Sequence, residues 1–289
     1  MKLIYFRLNF NVVIFNKMKI KFMLPFIACL FLSGNALAQI QMLHSYDLAR
    51  SIAGKTGRLI LLDFWASWCG PCKDMDQQLW QSPDIQKLSK NFVGVRIDVD
   101  LEKTLVTRYQ VKSIPRVIII SVNGDIVWDQ KGFDNAENFL RVFKALPENV
   151  EELNRKLLAL ADNKNDLQSN YSVGLEFQKL GKNLKDIELK NTFLNRSEIY
   201  LRKTLKVCDN PVIAEEIELN SIMNDVYCGR FDKALKMIEK MNPESGNENL
   251  AEFRHFILAK CYKNINDQDN YQKEKQMVTK SEFLDQLEN

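Results

Sequence analysis

Residues 59–75 read "LILLDFWASWCGPCKDM". The run from Leu59 to Trp65 has strand length and is apolar apart from Asp63, the pattern of a strand buried on both faces. Two thiols follow at once, Cys69 and Cys72, with a helix expected from Pro71 to about Trp80. A first thiol at a helix N-terminus meets unpaired N–H groups and the positive end of the macrodipole, both of which favour its thiolate. A second thiol one turn inside is placed to attack a mixed disulfide formed by the first. Two other readings of a C-x-x-C pair are half of a zinc site and a purely structural disulfide. Zinc calls for a second pair of ligands, and the sequence offers only His44, His255 and distant lone cysteines. A structural bond would not call for the residues that flank this one.

Working outward, "IQMLH" (40–44) predicts a short strand. "SYDLARSIAGKTG" (45–57) predicts a helix capped by Ser45 and ended by Gly54 or Gly57. Ser82 and Pro83 restart a helix after Trp80. "FVGVRIDVD" is a second strand, "LEKTLVTRYQV" a helix, and "IPRVIIISVNGDIVWDQKG" a hairpin turning through Asn123-Gly124. "NAENFLRVFKAL" is a last helix that stops at Pro147. The order predicts an α/β domain over residues 39–147, a mixed central sheet flanked by helices. From residue 148 to 289 the strand signals stop and apolar residues recur at helical spacing, so an all-helical second domain is expected.

The flanks of the cysteine pair carry a resemblance. "DFWASWCGPCK" resembles the thioredoxin active site, and the resemblance extends to Pro147. It implies a thioredoxin fold and a thiol-disulfide oxidoreductase. Cys69 would be the exposed nucleophile, Cys72 the buried resolving thiol, and the two together the redox-active disulfide. Asp63 falls on the family's buried acid, whose raised pKa would let it take the Cys72 proton. Trp65, Trp68 and Gly70-Pro71 complete the motif. Ile114-Pro115 falls on the isoleucine and cis-proline of the substrate groove, and Gly132 on the glycine after the last strand.

The chain departs from the family in three places. Arg96 stands where a lysine usually neighbours the buried acid, and Arg116 replaces a small polar residue after the cis-proline, implying a more cationic groove. The proline that kinks the active-site helix is missing, and the later break at Ser82-Pro83 is similar to exported members, among them the C-terminal domain of the periplasmic thiol:disulfide interchange protein. Gly-Pro between the cysteines, with no histidine, favours the reducing direction. Protein disulfides or thiols would be the substrates, with an exported or membrane electron donor and no cofactor or metal.

Within the helical region, "NDVYCGRFDKALKMIEKMNP" resembles a tetratricopeptide-type hairpin, turning at Gly229 with Ala234 at the close approach. A second stretch, "LAKCYKNINDQDNYQKEKQ", repeats it loosely, with Gln268 where a small residue is expected. Such a domain would select a protein partner or form a dimer. In an alternative reading it binds clients and carries the main function, with the cysteines as a redox sensor. Cys208, Cys228 and Cys261 read as lone cysteines buried as small apolar residues; a Cys208–Cys228 bond is the alternative.

The N-terminus sets the compartment. From Met18, a lysine-bearing start, an apolar run from Phe22 to Leu32 and Ala36-Leu37-Ala38 form the three parts of a secretory signal cut before Gln39. The alternatives are an uncleaved segment anchoring the protein in a membrane and a lipoprotein signal ending at Cys29, for which Phe26-Ile27-Ala28 is a poor lipobox. Losing residues 1–38 removes five basic residues and takes the formal charge from +3 to −2, which excludes a nucleic-acid protein held by a general basic field. "ARSIAGKTG" (49–57) fits a loose phosphate-loop pattern, but there the strand should precede and the helix follow, so nucleotide binding is rejected. Export to an oxidising compartment such as the periplasm is expected, with translation starting at Met18. Intact-mass measurement of the natural protein should find Gln39 at the N-terminus of the mature form and Met18 at that of the precursor.

Overall fold

The computed structural model describes residues 42–241 and 246–288. The signal segment, its cut before Gln39, and Ile40 and Gln41 of the "IQMLH" stretch lie outside these. Residues 39–289 group as one compact unit.

Four strands make one sheet: β1 (Leu59–Trp65), β2 (Phe92–Asp98), β3 (Arg116–Ile120) and β4 (Ile126–Lys131). They lie in the order β2-β1-β3-β4, with β1 parallel to β2 and the other pairs antiparallel. Beyond β2, among the described residues, the entering chain contributes a bridge from Leu43 to Val95.

Alternate residues of β1 serve two layers, as a period of two requires. Ile60, Leu62 and Phe64 pack with Val93, Val95 and Ile97 against Ala49 and Ala53 of α1 (Tyr46–Thr56) and Leu105 of α4 (Lys103–Arg108). Leu59 and Leu61 pack on the other face against Met75, Leu79 and Trp80, and against Phe139 and Phe143 of α5 (Ala136–Ala145). Helix α1 is capped by Ser45 and ends at Gly57, not Gly54. Gly57 has φ +62°, and a Cβ there would lie 2.8 Å from Asn149 and Glu151. The phosphate-loop-like stretch is thus a helix and its C-terminal cap.

After the cysteine pair, α2 (Gly70–Met75) widens into a π-turn over Asp76–Trp80. The expected helix to Trp80 is present, and a change of pitch stands where a proline would bend it. The turn buries Leu79 and Trp80, and Trp80 stacks on Phe143 at 6.1 Å between centroids. Ser82 then caps α3 (Pro83–Leu88).

Everything after α5 is helical among the described residues: α6 (Glu151–Asp162), α7 (Leu167–Asn183), α8 (Ile187–Leu205), α9 (Pro211–Tyr227), α10 (Phe231–Lys240), α11 (Glu248–Asn264), α12 (Gln268–Gln276) and α13 (Ser281–Glu288). The composition changes at Pro147, but the core does not stop there. Leu153, Leu157, Phe177 and Phe193 of α6–α8 belong to the same apolar cluster as Leu61, Val122 and Phe139. Polar ties reinforce this join. Asn154, fully buried, donates from Nδ2 to the carbonyls of Ala53 and Arg58, both at 3.0 Å. Val150 N donates to Gly57 O at 2.7 Å. Arg196 Nε donates to Ile126 O on the outer strand at 2.8 Å, and the Tyr200 hydroxyl donates to Asp125 in the β3–β4 turn.

A separate core joins α9–α13 around Leu219, Ile222, Phe256, Ile257 and Leu287. Helix α9 ends at Tyr227, Gly229 has φ +74°, and Ala234 is fully buried where the partner helix crosses. The second hairpin turns at Asn266 (φ 62°), and Gln268 is exposed at the start of α12, where Tyr271 is the buried residue.

Asn154→Ala would leave the Ala53 and Arg58 carbonyls without their buried donor, an expected cost of about 1–3 kcal/mol. Because α6–α8 share the core of the sheet, the denaturant transition reported by tryptophan fluorescence should coincide with a transition in helical circular dichroism, and any second dichroism transition belongs to the separate core of α9–α13.

Candidate active site

Cys69 is the N-cap of α2: its backbone is extended (φ −78°, ψ 106°) and its Sγ accepts from Cys72 N at 3.2 Å. Pro71, at the first turn, lacks an N–H that would be unpaired there in any case. The two sulfurs are bonded at 2.02 Å. Cys69 was expected to be exposed, yet in the disulfide it is only 4% exposed and Cys72 1%. Ala66 packs against the pair, with Trp65, Val99 and Ile114 around it. The Ile114–Pro115 peptide is cis, and Gly132 N donates to Pro115 O at 2.8 Å, fixing this loop to the end of β4.

Trp68, flanking the pair, is 67% exposed. Its indole Nε1 donates to Asp100 Oδ2 at 2.8 Å, so the ring is oriented by a carboxylate just beyond β2. Gly70 is exposed, and a Cβ there would meet nothing within 4 Å. Asp100 was not picked out in the sequence; its one signal is its place after the strand parallel to β1.

Beneath lies Asp63, fully buried, with neither carboxylate oxygen hydrogen-bonded. It sits in register with Arg96 on β2, on the sheet face that packs against the active-site helix. Arg96 Nε is 3.9 Å from Asp63, but its Nη2 donates to Asp76 at 2.7 Å and its guanidinium lies 4.1 Å above the Trp65 ring. The arginine is therefore shared, and its stronger bond goes to Asp76, a second residue the sequence did not flag. Burial pushes the Asp63 pKa up to about 7; the Arg96 charge holds it down in part, and Asp76 adds to the rise. A carboxyl that titrates near neutrality can hold a proton or release it for a buried thiol.

Arg116 requires a correction. It was expected to make the groove more cationic, but it is 6% exposed and its charge is spent. Nε and Nη2 grip Asp129 at 2.8 and 2.7 Å, and Nη1 donates to the carbonyls of Tyr109 and Gln110. An arginine so placed is driven to a buried partner, since an unpaired guanidinium there would be costly. Cys208, Cys228 and Cys261 are free thiols, so the Cys208–Cys228 bond is not formed; Cys261 alone is fully buried. His255 pairs with Glu274 on α12.

The sequence model of the thioredoxin family matches residues 41–145. Thioredoxin-1 of Drosophila yakuba is 39% identical over 77 residues, 27% of this chain and 70% of that protein. Thioredoxin-1 of Drosophila melanogaster is 34% identical over 87 residues, 30% of this chain and 78% of that protein. Among solved structures, a thioredoxin from Thermus thermophilus shares 22% identity, covering 36% of this chain and 85% of its own, with a TM-score of 0.34.

Because the folded Asp63 pKa is raised, its protonated form favours folding. That stability is fully present below the ordinary pKa near 4 and is lost as pH rises through about 7. Asp63→Asn removes this loss and should stabilise the oxidised protein at pH 8 by up to roughly 4 kcal/mol, with little gain at pH 4. Urea unfolding at the two pH values measures the difference.

Proposed function

This chain belongs to the thioredoxin family, and from that premise we propose that it is an exported thiol-disulfide oxidoreductase that reduces protein disulfides. The observation that carries the reading is the Cys69–Cys72 pair at the start of α2, packed against Ile114 of the cis Ile114–Pro115 peptide and on the sheet face that holds the unbonded carboxylate of Asp63.

In the dithiol form, the Cys69 thiolate attacks one sulfur of a client disulfide and the client's other sulfur leaves as a thiolate. The Cys72 thiol gives its proton to the Asp63 carboxylate, directly or through water. The resulting thiolate attacks Cys69 Sγ, releasing the client's second thiolate and closing the Cys69–Cys72 bond. The client has gained two electrons, and a dithiol donor outside the cytosol or in the membrane must return two to the protein. Trp68, Gly70, Pro71 and Ile114 form the wall the client meets; Arg116, expected in the groove, is paired with Asp129 and adds no free charge to it.

Gly70-Pro71 between the cysteines, and the lack of an imidazole there to stabilise the thiolate, support the reducing direction. Export, to the periplasm or an equivalent compartment, is supported by the layout of residues 18–38. No helix among the described residues is long and apolar enough to cross a membrane.

A second reading, in which the helical region holds clients and carries the main function, has one observation in its favour. A cleft of about 570 Å³ between α8, α9 and α10 has apolar walls that include Leu201, Leu205, Ile217, Ile222 and Met237. Full biological activity in a Cys69→Ser protein would select this reading.

The equilibrium potential of Cys69–Cys72, measured with the three other described cysteines changed to serine, is expected near roughly −270 mV. A value near roughly −120 mV would make the protein an oxidant. Cys72→Ser should trap clients as mixed disulfides that survive denaturing gels without reductant, and Cys69→Ser should trap none.

A further inference from the structure

Two clefts on the β4 side of the molecule share Arg108. The first, about 510 Å³, is lined by Arg108, Lys112, Ser113 and Lys131, with the neutralised Arg116 among its walls. The second, about 470 Å³, lies where the helical region meets the sheet and is lined by Arg50, Arg108, Lys164 and Lys203. Neither has a carboxylate among its lining residues. The nearby acids are committed elsewhere: Asp129 to Arg116, and Asp125 to Tyr200 and Arg196.

The cations, in contrast, are held without being neutralised. Arg50 and Arg108 lie over the Tyr46 ring at 5.9 and 5.4 Å, and Lys203 over the Tyr200 ring at 4.7 Å. Arg50 and Arg108 also donate to the carbonyls of Val122 and Asn123. Among the described residues none of Arg50, Arg108, Lys112, Lys131, Lys164 and Lys203 forms an ion pair. Aromatic faces and carbonyls orient such charges but leave them to attract an anion.

We propose that this band of cations binds an acidic stretch of the client protein lying beyond its disulfide. The inference rests on the function proposed above and names its substrate class. A protein segment is favoured over nucleic acid or lipid because the band is continuous with the disulfide site. Lys112 and Ser113 directly precede Ile114 and Pro115, so the first cleft begins within about 10 Å of chain from Pro115. Lys131 adjoins Gly132, which is bonded to Pro115. A client strand leaving the cysteines past Pro115 runs into the first cleft, and through Arg108 toward the second. The charge is also local: without residues 1–38 the chain is net negative.

The test uses the full-length protein and two synthetic peptides with the same intramolecular disulfide, one flanked by glutamates and one by glutamines. The ratio of their kcat/KM values is expected on the order of 10 at about 0.02 M salt and near 1 at about 1 M. In the variant K112Q/K131Q/K164Q/K203Q, all exposed positions, the low-salt ratio should fall to about 2 or less. A ratio near 1 in the parent protein at low salt, or one retained in the variant, overturns the proposal. Anisotropy of a labelled acidic peptide without cysteine reads the surface apart from turnover. Binding that the variant loses supports the proposal even where neither disulfide is reduced, in which case the catalytic reading fails alone; no binding overturns it. Tighter charge-dependent binding of a short RNA or of anionic-lipid vesicles than of the acidic peptide overturns the assignment to a protein segment.

Discussion

The central constraint is a fully buried carboxylate in the middle of a strand. β1 lies between two other strands and is covered on both faces, so every side chain along it meets apolar neighbours. Placing Asp63 there costs folding energy whenever it is charged. Arg96 offsets part of that cost from 3.9 Å, and would offset more were it not drawn to Asp76 and held over Trp65. This division leaves the acid poised near neutral pH. A full salt bridge would hold it ionised, and no cation at all would hold it protonated; in either case it would be a poorer proton acceptor for a buried thiol.

A sheet that carries such a cost gains from additional apolar burial, and the helical region supplies it on the same face. Leu153, Leu157, Phe177 and Phe193 extend the cluster that packs under β1 and α5. The join is directional as well as greasy. Asn154 satisfies two carbonyls near the end of α1, and Arg196 bonds to the outer strand, which would otherwise offer an unpaired edge. The helices α6–α8 therefore act on the redox site through the stability of its sheet, whatever α9–α13 bind.

The sequence made the redox end legible because its requirements are local. A buried strand, a pair of cysteines at a helix start, and an Asn-Gly hairpin each write a short pattern, and the resemblance added Asp63 and Pro115. The residues it missed act across the fold. Asp76 and Asp100 matter only because a π-turn and the parallel strand bring them to Arg96 and Trp68. Arg116 misled for the same reason: its position beside Pro115 is local, but its partner Asp129 lies on the next strand. The break in composition at Pro147 marks a change in secondary structure, and composition carries no record of which faces then pack together.

The pairing of Arg116 also shapes the charge around the site. Arg116 stands opposite Phe64 of β1, on the sheet face away from the one that carries Asp63 and packs against the active-site helix, and there Asp129 cancels its charge. With that charge cancelled by Asp129, the cations left without an acidic partner in the neighbouring cleft are Arg108, Lys112 and Lys131. Pairing Arg116 inside the protein meets the demand its burial makes, so the charge left at this end of the sheet sits on exposed side chains rather than on a buried guanidinium.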